Sequence, residues 1–174
     1  MATQGLVIIN TGHGKGKTTA ALGQALRAAG QGLKVCIIQF IKGQGKTGEA
    51  LALASAFPGQ VELHRVGTGF TWQQDKDTVK EAALAGWNLA REKISSDAYD
   101  LIVLDELTYL IGFGILAEAE ALALFSARPK RLHLVITGRD ASQGLIEYAD
   151  LVTEMRAIKH PFQKGVKAQK GIEF

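Results

Sequence analysis

The residues best equipped for chemistry form one run, Thr11-Gly12-His13-Gly14-Lys15-Gly16-Lys17-Thr18-Thr19. Glycines at this spacing let successive backbone N–H groups turn inward around phosphate oxygens. Lys17 adds a mobile cation, and Thr18 offers a hydroxyl to Mg²⁺. The strict phosphate-loop pattern has Gly where this chain has Thr11, so the loop is a variant. A second run, Leu101-Ile102-Val103-Leu104-Asp105-Glu106, is an apolar strand that ends in two carboxylates. Read alone it is a strand followed by an acidic helix cap. Read with the Gly-Lys-Thr loop it is a Walker-B element, one carboxylate reaching the metal or its water shell and the other orienting its neighbours. The two runs together point to a nucleoside triphosphate with Mg²⁺ and leave the reaction open.

Such groups need a rigid frame, and the rest of the chain supplies its grammar. Candidate strands lie at residues 6–10, 34–40, 61–66, 101–105, 131–137 and 151–155, most of them near-continuous in Val, Ile and Leu. That texture fits a parallel sheet buried on both faces. Candidate helices fall between them at 17–29, 49–57, 78–95, 117–126 and 141–147. The alternation predicts a single three-layer α/β domain over residues 1–174, with a mostly parallel sheet and ligands beyond the carboxyl ends of its strands. Glycine clusters at 12–16, 43–48 and 67–69 each follow a candidate strand, so their loops are expected to converge on one edge of the sheet.

Composition narrows the classes. With 174 residues, 47% of them hydrophobic and 21% charged, the chain can bury a core and is not of disordered, collagen-like or coiled-coil type. Twenty Lys and Arg against 17 Asp and Glu give a net charge of +3. Arg156, Lys159, Lys164, Lys167 and Lys170 face only Glu173 in the last twenty residues, a local +4, so residues 1–154 carry −1. The basicity is a C-terminal feature and no duplex-coating stripe is evident, which argues against nucleic acid as a partner. The single cysteine, Cys36, excludes an intrachain disulfide and sits in an apolar strand, which reads as a buried thiol in a reducing compartment. No apolar stretch reaches the roughly 20 residues of a membrane span, and a cytoplasmic location is expected.

Beyond the loop, the chain resembles the P-loop-type ATP:corrinoid adenosyltransferases. The matching segments, in order, are residues 11–21, Gln39-Phe40-Ile41-Lys42-Gly43, Gly67-Thr68-Gly69-Phe70-Thr71-Trp72, Val103-Leu104-Asp105-Glu106-Leu107-Thr108-Tyr109, Ala127-Arg128-Pro129, Ile136-Thr137-Gly138-Arg139, Lys159-His160-Pro161-Phe162 and residues 165–174 with Val166-Lys167-Ala168-Gln169. They span nearly the whole chain, and the Gly-Phe-Thr-Trp and Lys-Ala-Gln blocks are far more specific than a phosphate loop. The resemblance implies a P-loop NTPase, RecA-like fold and transfer of the 5′-deoxyadenosyl group of ATP to the Co(I) centre of a reduced corrinoid. It also implies release of inorganic triphosphate, in adenosylcobalamin biosynthesis or salvage. Co(I) is itself a strong nucleophile, which agrees with the lack of a convincing Ser, Cys or His triad in the sequence.

Residue by residue, the resemblance implies Gly12, His13, Gly14, Lys15, Gly16, Lys17, Thr18 and Thr19 as the ATP cradle, and Thr18 and Glu106 as Mg²⁺ ligands with Asp105 in support. Lys17, Glu106 and Asp105 are the residues expected to carry the chemistry. Phe70 and Trp72, two apart in a glycine-flanked loop, read from spacing alone as core caps. The resemblance makes them the wall below the corrin ring, excluding an axial ligand and easing reduction of Co(II) to Co(I). It further implies ATP lying in the loop opposite to its direction in ordinary ATPases, a flavoprotein reductant, a homodimer, and residues 155–174 as a basic segment covering the active site. Some members of that family carry a basic segment before the first strand, whereas here the first candidate strand begins at Leu6. Trp87 reads as core, and His64 and His133 as structural strand histidines without metal-ligand spacing. Arg27, Arg139, Arg156 and Lys159 are candidate anion contacts whose commoner fate is solvated surface charge. Lys42 and Lys46 flank a glycine loop and either close over substrate or keep the loop soluble.

Overall fold

The structure is a computed structural model and describes residues 4–41, 43, 47–67, 69 and 76–172. Six strands, β1 (Val7–Thr11), β2 (Val35–Gln39), β3 (Val61–Arg65), β4 (Leu101–Asp105), β5 (His133–Thr137) and β6 (Leu151–Glu154), form one sheet in the order β3-β2-β4-β5-β1-β6. Every pairing is parallel. Among the described residues, six helices, α1 (Lys17–Gly30), α2 (Gly48–Ala56), α3 (Lys76–Ser95), α4 (Leu107–Gly112), α5 (Glu118–Ser126) and α6 (Gln143–Tyr148), cover its faces, and a 3₁₀ turn at Pro161–Lys164 lies in the tail.

The near-continuous apolar strands have a direct consequence in packing. Adjacent residues of one strand enter different cores: Cys36 and Ile38 of β2 pack with Trp87, Leu107, Phe125 and Leu145 from α3 to α6, whereas Val35 and Ile37 pack with Ala21, Ala25 and Leu53 from α1 and α2. Alternation toward two buried faces is why the strands read as unbroken runs. Alanines on α1 keep that helix close to the sheet and so hold the phosphate loop at its edge. The outer strands β3 and β6 are only partly buried.

Most expected elements shift by a residue or two at their ends, as strand and helix ends fray. Helix α4 was absent from the expectation, because a six-residue helix offers too few turns for a periodic pattern. Its start is set by Glu106, which adopts the left-handed conformation with φ 69°. Cys36 is fully buried, and burial pushes its thiol up to about 12. His133 Nδ1 accepts the Leu6 N–H at 3.0 Å. His64 meets Glu62 at 3.1 Å, and with Cys36 the three present ligand atoms within 4.8 Å of one another. That grouping arises from the β2–β3 register, which no linear spacing announces. Lys93 Nζ, 2.9 Å from Glu62, supplies the cation there. Trp87 is core, its indole N–H donating to Glu120 at 2.7 Å. Among the described residues, no helix is long and apolar enough to cross a membrane.

Candidate active site

The buried polar residues mark the site. Asn10, Thr11, Gln39, Asp105 and Thr137 all stand at the carboxyl ends of β1, β2, β4 and β5, and Thr108 lies on α4 just beyond. Four apolar strands that turn polar at the same edge of a parallel sheet define one place where hydrogen-bonding groups gather.

Asp105 is the hub. Its Oδ1 accepts the hydroxyls of Thr18 at 2.9 Å and Thr137 at 2.7 Å, and its Oδ2 accepts the Gln39 amide at 2.9 Å. The register dictates this: Gln39 is the β2 partner of Asp105, and Leu104 pairs with Ile136 so that Thr137 arrives alongside. Thr137 Oγ1 also accepts the Glu106 N–H at 2.9 Å, tying the left-handed turn to β5. Glu106 Oε2 is shut away from solvent beside this cluster. The donor set therefore comprises a threonine hydroxyl and two carboxylates, hard oxygens of the kind Mg²⁺ prefers.

In the phosphate loop, Lys17 Nζ donates to the carbonyls of Gly12 at 2.7 Å and Gly14 at 2.8 Å. Burial lowers its affinity for a proton, and the Arg139 guanidinium acts in the same direction, opposed by Glu106, Asp105 and Asp140. Gly12 has φ 95°, and a Cβ there would strike the Met155 carbonyl and Glu154, so the approach of β6 requires glycine. Thr11, the departure from the strict motif, accepts the Ala141 N–H on its hydroxyl at 3.1 Å and the Met155 N–H on its carbonyl at 2.8 Å. It thus stitches the loop to the segments after β5 and β6. His13 meets Asp140 at 2.8 Å, and Thr19 lies exposed in the first turn of α1.

Two tail carbonyls reach the loop. The Gly14 N–H donates to Met155 O at 2.6 Å, and Lys15 Nζ donates to Ile172 O at 2.6 Å. Otherwise the segment is largely exposed, with Ile158 at 94% and Phe162 at 78%. On the other side, Phe40, Ile41, Val79, Leu110, Phe113 and Ile115 line a shallow, open apolar hollow. Gly69, which precedes Phe70, borders it, and Tyr109 and Phe113 stack at 6.0 Å beside it. Phe70, Trp72, Lys42 and Lys46 lie outside the described residues. Arg27 bonds Gln24 at 3.4 Å on the exposed face of α1, in the last turn of the helix and so at the end opposite Lys17 and Thr18, while Arg156 and Lys159 are exposed in the tail.

Residues 3–174 match the family model described as ATP:corrinoid adenosyltransferase BtuR/CobO/CobP. The chain belongs to this family. The corrinoid adenosyltransferase of Pseudomonas aeruginosa is 45% identical over 172 residues, covering 98% of this chain and 84% of that protein. Corrinoid adenosyltransferase CobA of Salmonella typhimurium is 41% identical, covering 98% and 86%. Among solved structures, the flagellar accessory protein FlaH of Methanocaldococcus jannaschii superposes with TM-score 0.58 at 13% identity, covering 87% of this chain and 71% of that one. The RadB recombinase gives TM-score 0.52 at 16% identity, covering 91% and 78%. At such identities these two show the P-loop NTPase fold alone. The adenosyltransferase thus takes ATP and a corrinoid as substrates, as the family does.

Gln39 and Thr137 carry no role in the sequence reading although both lie in its matched blocks. Their signal was a polar residue closing an apolar strand at the edge where Asp105 closes another.

Proposed function

We propose that the adenosyltransferase holds the triphosphate of ATP in the loop from Gly12 to Thr19 and presents C5′ to the Co(I) of a reduced corrinoid. The observation that carries this is the convergence of Lys17, Thr18, Asp105 and Glu106 at one edge of the sheet, in a chain of this family. In the step, the electron pair of Co(I) forms the Co–C5′ bond, the C5′–O5′ bond breaks, and its pair leaves on the triphosphate oxygen. No protein nucleophile is needed. The chain's work is to align C5′ with cobalt and to stabilise charge on the departing triphosphate.

Lys17 and the loop amides suit that leaving group. Lys17 now spends its hydrogen bonds on Gly12 and Gly14 carbonyls, which phosphate oxygens would replace. Thr18 and Glu106 would hold Mg²⁺, with Asp105 fixing the Thr18 hydroxyl. The ion, when bound, supplies positive charge against the triphosphate. The apolar hollow at Phe40, Gly69, Leu110 and Phe113 offers a flat apolar substrate a surface within the same edge of the sheet. The tail from Met155 would form the site's outer wall, a reading supported by its contacts with the loop through the Met155 and Ile172 carbonyls. A homodimer, a flavoprotein electron donor and a cytoplasmic setting complete this reading, as do the reversed ATP and the roles of Phe70 and Trp72.

The decisive assay combines the protein, ATP, Mg²⁺ and chemically reduced corrinoid. A light-sensitive Co–C spectrum with stoichiometric triphosphate is expected, and ADP with phosphate and no spectral change overturns the reading. Trp72→Ala is expected to slow the reaction begun from Co(II) while sparing that begun from Co(I). Equal losses in both would remove Trp72 from the reduction step.

A further inference from the structure

The turn between β5 and α6 is fixed at each of its first four residues. Gly138 N–H donates to Asn10 O at 3.3 Å, and with φ 143° it lies so close to Thr108 that a Cβ would meet the Thr108 hydroxyl. That hydroxyl donates to the Arg139 carbonyl at 2.6 Å. Asp140, itself left-handed at φ 50°, meets His13 of the phosphate loop at 2.8 Å, and Ala141 N–H donates to Thr11 at 3.1 Å. The ties run to β1, to α4 and to the phosphate loop itself. A non-glycine residue held at positive φ stores strain that the surroundings must enforce.

This bracing serves the Arg139 side chain. Among the described residues, the Arg139 guanidinium has no hydrogen-bond or ion-pair partner, whereas Arg65, Arg128 and Arg131 are each held by side chains or carbonyls. Its charge is felt at Lys17, where it opposes the ammonium. Two cations brought together at a phosphate loop repel until a polyanion lies between them.

We infer that Arg139 is a second fixed cation of the cradle, contacting the triphosphate and sharing with Lys17 the charge that develops as C5′–O5′ breaks. The inference rests on the reading that the triphosphate lies in the loop from Gly12 to Thr19. A guanidinium offers paired N–H donors matched to phosphate oxygens, and a donor already in place costs no reorganisation at the moment of reaction. His13 and Asp140 act as positioning residues, locking the turn to the loop.

The test measures calorimetric affinity for inorganic tripolyphosphate, and kcat and KM for ATP with pre-reduced Co(I) corrinoid. Wild type, Arg139→Ala, Arg139→Lys and the control Lys130→Ala, at the far end of β5, are compared. Arg139→Ala is expected to weaken tripolyphosphate by about tenfold or more and to lower kcat by about 10²-fold, the scale of losing one charge-stabilising donor. Arg139→Lys should recover only part, and millimolar guanidinium should partly restore the alanine variant, which a structural role would not produce. Unchanged affinity and kcat, or an equal loss in Lys130→Ala, overturns the inference. If the alanine variant fails to fold, full activity in Arg139→Lys does the same. The tripolyphosphate arm needs no corrinoid, so it decides the role of Arg139 even if no Co–C product forms.

Discussion

Asp105 and Lys17 show how single residues divide the labour. Asp105 is wholly buried yet accepts from Thr18, Thr137 and Gln39, which supplies the compensation a buried carboxylate demands. Asp105→Asn keeps the shape but replaces one acceptor oxygen by a donor that faces the donors around it. The Thr18 hydroxyl then loses its fixed direction. We expect the Mg²⁺ concentration for half-maximal transfer to rise at least severalfold while tripolyphosphate still binds without metal. A titration of activity against Mg²⁺ reads this, and an unchanged midpoint would contradict it. Lys17 is held by two carbonyls of its own loop and is depressed chiefly by burial. Its charge is costly until an anion arrives, so Lys17→Ala is expected to lower transfer from Co(I) by about 10²–10³-fold while leaving the urea unfolding midpoint near or above that of wild type.

At the scale of elements, the edge strand β3 carries a separable stabilising device. Glu62 bonds Lys93 at 2.9 Å and His64 at 3.1 Å, joining β3 to α3. The Lys93 bond, with help from Tyr99 and His64, holds the Glu62 carboxyl down at about 2 against an ordinary 4.5. A carboxyl depressed on folding favours the native state above its unfolded pKa, and that contribution fades as pH falls through the folded value. The stability difference between wild type and Glu62→Gln should therefore hold at pH 5 and above and shrink between about pH 4.5 and 2. Because the side chain is 45% exposed, the difference is screened and small. Urea midpoints at pH 5 and pH 2.5 measure it, and a gap undiminished at pH 2.5 would reject the pairing as its source.

For the whole molecule, the tail and the body separate in charge and in packing. Residues 1–154 contain the sheet and both cores, whereas the segment from Arg156 onward is almost wholly exposed and carries the excess positive charge. Ending the chain after Ala157 keeps Met155 against Gly14 and removes the Ile172 contact to Lys15. Such a truncation is expected to unfold at a midpoint within about 2 °C of the full chain, since it removes little buried apolar area. KM for the corrinoid should rise well beyond any change in tripolyphosphate affinity. Equal weakening of both would place the tail on the triphosphate alone.

The sequence by itself determined the layers and the loop. Unbroken Val, Ile and Leu runs require two buried faces, and Gly-Lys-Thr after such a strand places backbone amides and a cation at a helix start, because both patterns are local consequences of backbone geometry. The tertiary structure alone decided which distant residues serve that loop. Gln39 and Thr137 meet Asp105 through parallel register, where a slip of one residue would turn each to the opposite face. The turn after β5 meets the phosphate loop, through Asp140 on His13 and Ala141 on Thr11, only because β5 lies between β4 and β1, though that turn is more than a hundred residues from the loop in sequence. Thr11, an imperfection when read against the motif, is explained by a hydrogen bond to Ala141. Spacing along a chain records one helix turn or one strand pleat, and contacts across a sheet are set by strand order, which crossovers choose and local pattern does not encode.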